Sequence, residues 1–411
     1  MTGTDTLRPR DAKDVEQAVE WALGETKALE LVGRRSKQAI GRPAQTDLTL
    51  DLSGLVGITL YEPEELVLTA RAGTPLAEIE ALLAERSQQL EFEPMDYGPL
   101  LGTPAGAGTI GGAIAANLSG PRRIKAGAAR DHFLGVSAVS GRGETFKSGG
   151  RVVKNVTGYD LCKLLAGSWG TLAAMTEVTV KVLPRPETEA TVAVRGLGDE
   201  AGVRAMAAAM GSPCDVSGAA HLPAAVAARL PSGAAVAGGG SVTALRLEGV
   251  PPSIAHRRAA LMTAMKSFGE VELVDETLSR NLWRAIRDVI PFAGGAAAQE
   301  PLWRISTAPG KGAELARRVL AGADGEALFD WAGGLVWIRL SGADDAGAAL
   351  VRGAVKACGG HATLIRAAPA VRAAVDVFEP QHAPLAALTK RVKQSFDPLG
   401  VLNPGRMWAG V

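Results

Sequence analysis

Residues 102–120, GTPAGAGTIGGAIAANLSG, constrain the fold more than any other stretch of this 411-residue chain. Gly106, Gly108 and Gly111 match the GxGxxG spacing of a dinucleotide-binding turn, and Asp131 follows about 20 residues later. That reading needs a strand running straight into the first glycine. The residues before it include Gly98, Pro99, Gly102 and Pro104, so a nicotinamide-binding turn is rejected. Two readings remain. In one, residues 103–120 lay nearly bare backbone against a flat, extended ligand. Thr109 caps a short helix over 111–117, whose N-terminus suits negative charge. In the other, the same glycines and alanines serve close helix–sheet packing.

Composition narrows the function. Lys and Arg number 44 against 43 Asp and Glu, a formal charge of +1. That balance argues against a strongly basic nucleic-acid-binding face and against a disordered chain. Glycine is abundant, with 50 residues and no collagen period. Cys162, Cys214 and Cys358 are isolated, which makes a disulfide framework, a zinc site or an intrinsic iron–sulfur cluster unexpected. The opening MTGTDTLRPR carries no apolar signal-peptide core, and no apolar run of about 18 residues occurs. A reducing cytoplasmic setting is expected.

The hydrophobic pattern predicts a helix capped by Asp11 with Val15, Val19 and Ala22 inward, then strands at 29–32 and 48–52. Further strands are expected at 66–68, 133–140 and 175–183. A second helix after Gly73 would be capped by Thr74, with Pro75 as its first residue. Pro184 and Pro186 mark a boundary. Beyond it, alanine-rich amphipathic segments alternate with strands at 242–247, 303–306 and 335–340, a separate α+β domain. A helix at 385–396 leads into a fixed loop through Pro398, Gly400, Pro404 and Gly405.

Three further clusters carry candidate chemistry. Gly33, Arg34, Arg35, Ser36 and Lys37 follow a strand and offer backbone N–H groups plus three cations; they either cradle a diphosphate or form a solvated basic turn. Lys154, Asn155, Thr157, Gly158, Tyr159 and Asp160 sit close to apolar segments, where polar groups need either a ligand or a hydrogen-bonded turn. Arg122, Arg123, Lys125 and Arg130 form either a solvated loop or a docking surface. His132, His221, His256, His361 and His382 show no metal-ligand spacing and read as structural or exposed. Trp283, Trp303, Trp331 and Trp337 read as core or interface.

Taken in order, these stretches resemble the FAD-binding fold of the vanillyl-alcohol oxidase / p-cresol methylhydroxylase (PCMH) flavoprotein family, and within it the FAD-binding subunits of bacterial glycolate oxidases. The resemblance runs through Leu50–Leu55, Ala72–Glu78, Gly108–Ala113, Leu118–Arg123 and Gly149–Leu161. It continues through Gly167–Leu172, Lys181–Pro186 and the closing Asp397–Arg406. It implies an α+β, two-subdomain PCMH-type FAD-binding domain over 1–186 (subdomains about 1–57 and 58–186). An α+β cap would cover the flavin over 187–370, and a C-terminal segment, 371–411, would return to the first domain. Gly33 to Lys37 would hold the pyrophosphate. Thr103, Pro104, Thr109, Ile110, Gly111, Gly112, Ala113, Asn117 and Gly120 would wall the flavin. Thr157, Gly158, Glu177, Val178 and Asn403 would complete the cofactor site.

Activity is implied too. Lys154, helped by Tyr159, would hold the carboxylate of a small 2-hydroxy acid such as glycolate while hydride passes from its α-carbon to the flavin. Electrons would leave through an iron–sulfur partner subunit, beside a paralogous FAD subunit, with peripheral attachment at the inner membrane through those partners. Three departures stand out. Arg34 and Arg35 replace common glycines. No loop histidine is present for covalent attachment, so the FAD is expected to be noncovalent. The metal-binding histidines of related 2-hydroxy-acid dehydrogenases have no counterpart, so the group that takes the hydroxyl proton is missing. A non-catalytic FAD-holding or relay subunit is therefore the competing expectation.

Overall fold

Asp11 starts the first helix as expected, accepting from the Asp14 backbone N–H at 2.9 Å. Helix Ala12–Gly24 then buries Val15, Val19 and Ala22 completely, a stripe at the i, i+4, i+7 spacing that stabilises by roughly 1.5–3 kcal/mol per valine. The computed structural model describes residues 5–43, 45–150, 158–231, 236, 238–342 and 344–411, with the backbone alone at 296 and 297. Lys154 and Thr157 lie outside the described residues.

That helix covers a small parallel sheet in which Leu48–Asp51 lies between Thr6–Leu7 and Leu29–Val32. A five-stranded antiparallel sheet follows, in the order Ile58–Glu62, Val67–Arg71, Ala173–Lys181, Phe133–Ser140 and Thr145–Gly149. The third layer is an eight-stranded antiparallel sheet that begins at Thr188–Arg195 and ends, at one edge, on His361–Arg366. One core joins the last two sheets: Leu68, Ile110 and Phe133 of the first lobe cluster with Ala220, Trp283 and Trp337 of the second. All four tryptophans of the second lobe are buried.

The chain's end returns to its beginning. Leu29 donates its backbone N–H to Val401, and Asn403 donates its own back to Leu29. Helix Ala383–Phe396 begins two residues before the expected start, with His382 at its cap.

The second helix is capped differently from expectation. Pro75 is the capping residue and makes no side-chain bond. Thr74 is fully buried, and its hydroxyl donates to Arg71 O at 2.7 Å while accepting from Gly57 N–H at 3.0 Å. The free N–H of Leu76 instead finds Gly108 O at 2.9 Å, so the glycine-rich stretch itself closes that helix end.

Within the basic cluster at 122–130, Arg122 is spent inside the molecule. Arg122 pairs with Glu93 at 3.0 Å and with Glu248 at 2.6 Å, and Arg246 forks onto Glu93 through two 2.9 Å bonds. Glu93 and Arg122 belong to the first lobe, Arg246 and Glu248 to the second, so four buried charges pin the lobes together. Lys125 pairs with Asp215.

Candidate flavin and substrate site

Strand Leu29–Val32 delivers the basic loop to a cleft between the small sheet and the glycine-rich stretch. All five loop residues, Gly33 to Lys37, line this cleft. Arg35 takes a left-handed conformation (φ 60°). Arg34 and Arg35 are exposed, so they border the cleft without filling it. The opposite wall is helix Ile110–Ala115. Thr109 caps it by accepting from Gly112 N–H at 3.2 Å, while Ile110 and Ala113 are fully buried in the core.

The paired glycines satisfy both readings of the stretch. A Cβ on Gly111 would stand 2.7 Å from Ala72, so this glycine serves packing. A Cβ on Gly112 would meet Thr109 Oγ1 at 3.0 Å and Lys37 Nζ at 3.2 Å, so this one keeps the cleft open beside a cation.

Two cations in the cleft have no acid partner. Lys37 Nζ reaches only Ser36 Oγ, at 3.1 Å. Burial brings its pKa down to about 8, against the pull of Asp96, with Arg406 pushing the same way as burial. Arg406 donates from Nη2 to Lys37 O at 3.2 Å and lies over the Trp169 ring at 5.6 Å. Its Nε is buried without a partner. Among the described residues neither cation forms an ion pair, so the cleft presents positive charge that an anion would neutralise.

Trp169 and Ala116 also border a second, wider hollow, so the two spaces share a wall. The first is narrow, about 110 Å³; the second, between the flavin-binding lobe and the eight-stranded sheet, is about 910 Å³. Trp169 is held in a left-handed conformation (φ 54°), its ring edge-on to Phe378. Asn403 braces it: Nδ2 donates to Trp169 O at 2.8 Å, and Oδ1 accepts from Leu31 N–H at 2.9 Å. Asn403 lines the cleft with its side chain already spent on the wall.

Other expected residues lie elsewhere. Asn117 borders the wide hollow (φ 48°) with Oδ1 accepting from Arg130 N–H. Gly120 offers its carbonyl to Trp331 Nε1 at 2.9 Å, and a Cβ there would meet Glu93 O at 2.6 Å. Thr103 bonds back to Gly98, Pro104 is exposed, and neither borders a hollow. Glu177 and Val178 sit in the middle strand of the five-stranded sheet, paired on both sides. That strand meets the cleft a few residues earlier, at Ala173 and Met175. Tyr159 is 90% exposed and Gly158 is exposed, both away from the two hollows. Asp160 caps the next helix there by accepting from Lys163 N–H.

Sequence reasoning gave no site role to Arg406, Trp169 or Arg304, and read Arg123 as part of a solvated loop or docking surface. One usable signal was Arg304, a charge within the apolar strand Leu302–Ser306.

Comparison with known proteins fits this geometry. An FAD binding domain family matches residues 6–149. The glycolate oxidase subunit GlcE of Escherichia coli K12 is 35% identical over 398 residues, covering 96% of both chains. The chain belongs to the GlcE family of glycolate oxidase subunits. FAD is the cofactor of this GlcE-family chain, which is a flavin-dependent oxidoreductase subunit. The glycolate oxidase subunit GlcD of Bacillus subtilis is 35% identical over 150 residues, 36% of this chain and 30% of that one. The fold is that of p-cresol methylhydroxylase, solved with substrate bound: TM-score 0.72 at 14% identity over 99% of this chain and 88% of that one. The residues present suit FAD. Lys37 and Arg406 would face its phosphates, Gly112 would let the backbone approach, and the wide hollow past Trp169 would admit the ring system. Among the described residues, no helix is long and apolar enough to cross a membrane.

Proposed function

We propose that this chain oxidises a small 2-hydroxy acid, glycolate or a close relative, as one subunit of an oxidase complex. The observation that carries the reading is a cleft holding Lys37 and Arg406, neither of them ion-paired among the described residues, beside a wide hollow under the second lobe that shares Trp169 and Ala116 with it. Bound FAD supplies the acceptor for the hydride that leaves the α-carbon. The chain's own residues bind and orient. The glycine-lined wall lies against the cofactor, Lys37 and Arg406 offset its negative charge, and Trp169 marks the passage between cofactor and substrate. No histidine lines the narrow cleft among the described residues, which supports noncovalent attachment. Lys154, outside the described residues, is proposed as one contact for the substrate carboxylate. The name of the Escherichia coli relative, a glycolate oxidase subunit, supports a multi-subunit complex, and an iron–sulfur partner with a paralogous flavin subunit is the route we propose for the electrons.

One observation favours a second reading. Tyr159, the expected helper of Lys154, points into solvent. In that reading the chain holds FAD as a relay or structural subunit while the paralogue performs the chemistry. Anaerobic addition of glycolate to the purified, yellow subunit separates the two. Bleaching supports catalysis here, and an unchanged spectrum supports the relay. Lys154→Ala should abolish bleaching with the flavin still bound; turnover that survives it removes Lys154 from the site.

A further inference from the structure

The wide hollow contains two cations, Arg304 and Arg123, that form no ion pair among the described residues. Arg304 projects into it from the strand Leu302–Ser306 and makes no ion pair or side-chain hydrogen bond among the described residues. Its guanidinium lies 5.0 Å from the Trp331 ring centre and 6.0 Å from that of Trp337. Arg123 arrives from the other lobe and lies over the same Trp331 ring at 4.3 Å. Burial lowers the pKa of both guanidiniums, and Arg304 adds to the shift at Arg123. Asp330 attracts Arg304 and Asp131 attracts Arg123, but neither forms an ion pair with it; the two like charges at one ring repel, and an anionic ligand relieves that repulsion.

The ring that gathers them is held under backbone strain. Trp331, Ala332 and Gly333 all adopt positive φ (50°, 56° and 94°), at a typical cost of about 1–3 kcal/mol for each non-glycine residue. Trp331 is then pinned to Gly120 O across the lobe boundary. Trp331 is itself buried behind the hollow's lining, and the turn fixes the ring against which the two guanidiniums pack.

His361 completes the group. Ser306 is paired with His361 and Arg304 with Thr363, so Arg304 and His361 are diagonal neighbours on one sheet face. Such neighbours lie roughly 7–8 Å apart, within reach of one small molecule. His361 lines the hollow, its ring is open to it, and neither nitrogen is hydrogen-bonded among the described residues.

We infer that the hollow binds the carboxylate of the 2-hydroxy acid between Arg304 and Arg123, and that His361 accepts the proton of its hydroxyl. This assignment rests on the function proposed above and supplies the proton acceptor that the sequence left unnamed. In the step, the O–H bond breaks and its proton passes to the imidazole. The Cα–H bond breaks with its electron pair leaving as hydride to the oxidised flavin, and the C=O bond of the 2-oxo acid forms. Burial holds the His361 pKa below the usual imidazole value; Arg304 and Arg123 push the same way and Glu379 opposes them. Lys356, His382 and Arg352, the last ion-paired to Glu379, are the other charged groups around the hollow. The imidazole is therefore neutral near pH 7 and able to take a proton.

The test uses the flavin-loaded protein in its complex, with flavin content and melting temperature as checks on each variant. Oxalate, an unreactive dianion, reports binding by calorimetry, and anaerobic flavin reduction by glycolate and longer 2-hydroxy acids reports the chemistry. His361→Asn and His361→Gln should bind oxalate within about twofold of wild type, yet reduce flavin about 10²–10⁴-fold more slowly, with the acid limb of the rate profile gone. Arg304→Met and Arg123→Met should each weaken oxalate by about tenfold or more. Wild-type rates and an unchanged pH profile in both His361 variants would overturn the proton-acceptor assignment and leave the proposed function standing. Unchanged oxalate affinity in both arginine variants would overturn the carboxylate site. Should wild-type flavin resist every 2-hydroxy acid while oxalate still binds, the proposed function falls and takes the His361 role with it.

Discussion

Arg406 Nη2 donates to the backbone oxygen of Lys37 at 3.2 Å, joining positions 369 residues apart at the mouth of the cofactor cleft. The contact places a guanidinium and an ammonium side by side with no acid between them. FAD binding should therefore depend on pH. Lys37 titrates near 8 in the free protein, and a bound phosphate would raise that value. Above pH 8 the lysine must take up a proton to bind, so the FAD dissociation constant should rise by up to about tenfold per pH unit until the bound-state pKa is passed. Lys37→Met should bind FAD more weakly at neutral pH and lose this slope, as read by flavin fluorescence titration.

Gly112 and Gly111 should respond differently to substitution. Gly112→Leu places a side chain where Lys37 Nζ stands, and the protein should fold with its normal melting temperature but purify colourless. Gly111→Leu drives into Ala72, and overpacking there should cost about 1–3 kcal/mol of stability, read by denaturant titration.

Lys393 and Asp397 form a buried pair at 2.6 Å, and Lys393 also donates to Thr171 O and Leu402 O. Asp397 in turn accepts from the backbone N–H groups of Val401 and Leu402. Removing one partner leaves a buried charge unpaired, so Asp397→Ala should destabilise by about 3–5 kcal/mol. Because this pair sets the path of the chain toward Asn403 and Arg406, flavin content should fall as well.

The interlobe charge network should give way in acid. Burial opposes ionisation of Glu248, but Arg246 and Arg122 outweigh it and hold the pKa at about 2, below the ordinary 4.5. A carboxylate depressed on folding contributes stability above its unfolded pKa and loses it as pH falls. Stability should therefore drop between about pH 4.5 and 2, and Glu248→Gln should flatten that part of the profile, measured by thermal melts across pH.

Much of the first lobe was legible because its signals are local. Strand 29–32 and the Asp11 cap follow from alternation and capping chemistry that need no distant partner. Thr74 misled because a buried hydroxyl can satisfy a turn as easily as a helix end, and only the fold decided which N–H lay within reach. Tyr159 could not be placed from sequence, since the cap at Asp160 sets the direction of its loop without marking which way is inward.

The order of glycines, prolines and small residues carried the resemblance to an FAD-binding lobe, whereas their spacing alone fitted close packing equally well, because small residues serve both. Which cations are ion-paired was decided by tertiary contact. Arg122 found Glu93 and Glu248 within bonding distance, whereas Arg406, Arg123 and Arg304 found aromatic rings and, among the described residues, no ion-pair partner. A guanidinium is identical in sequence in both settings. Its function follows from the partner that folding supplies or withholds.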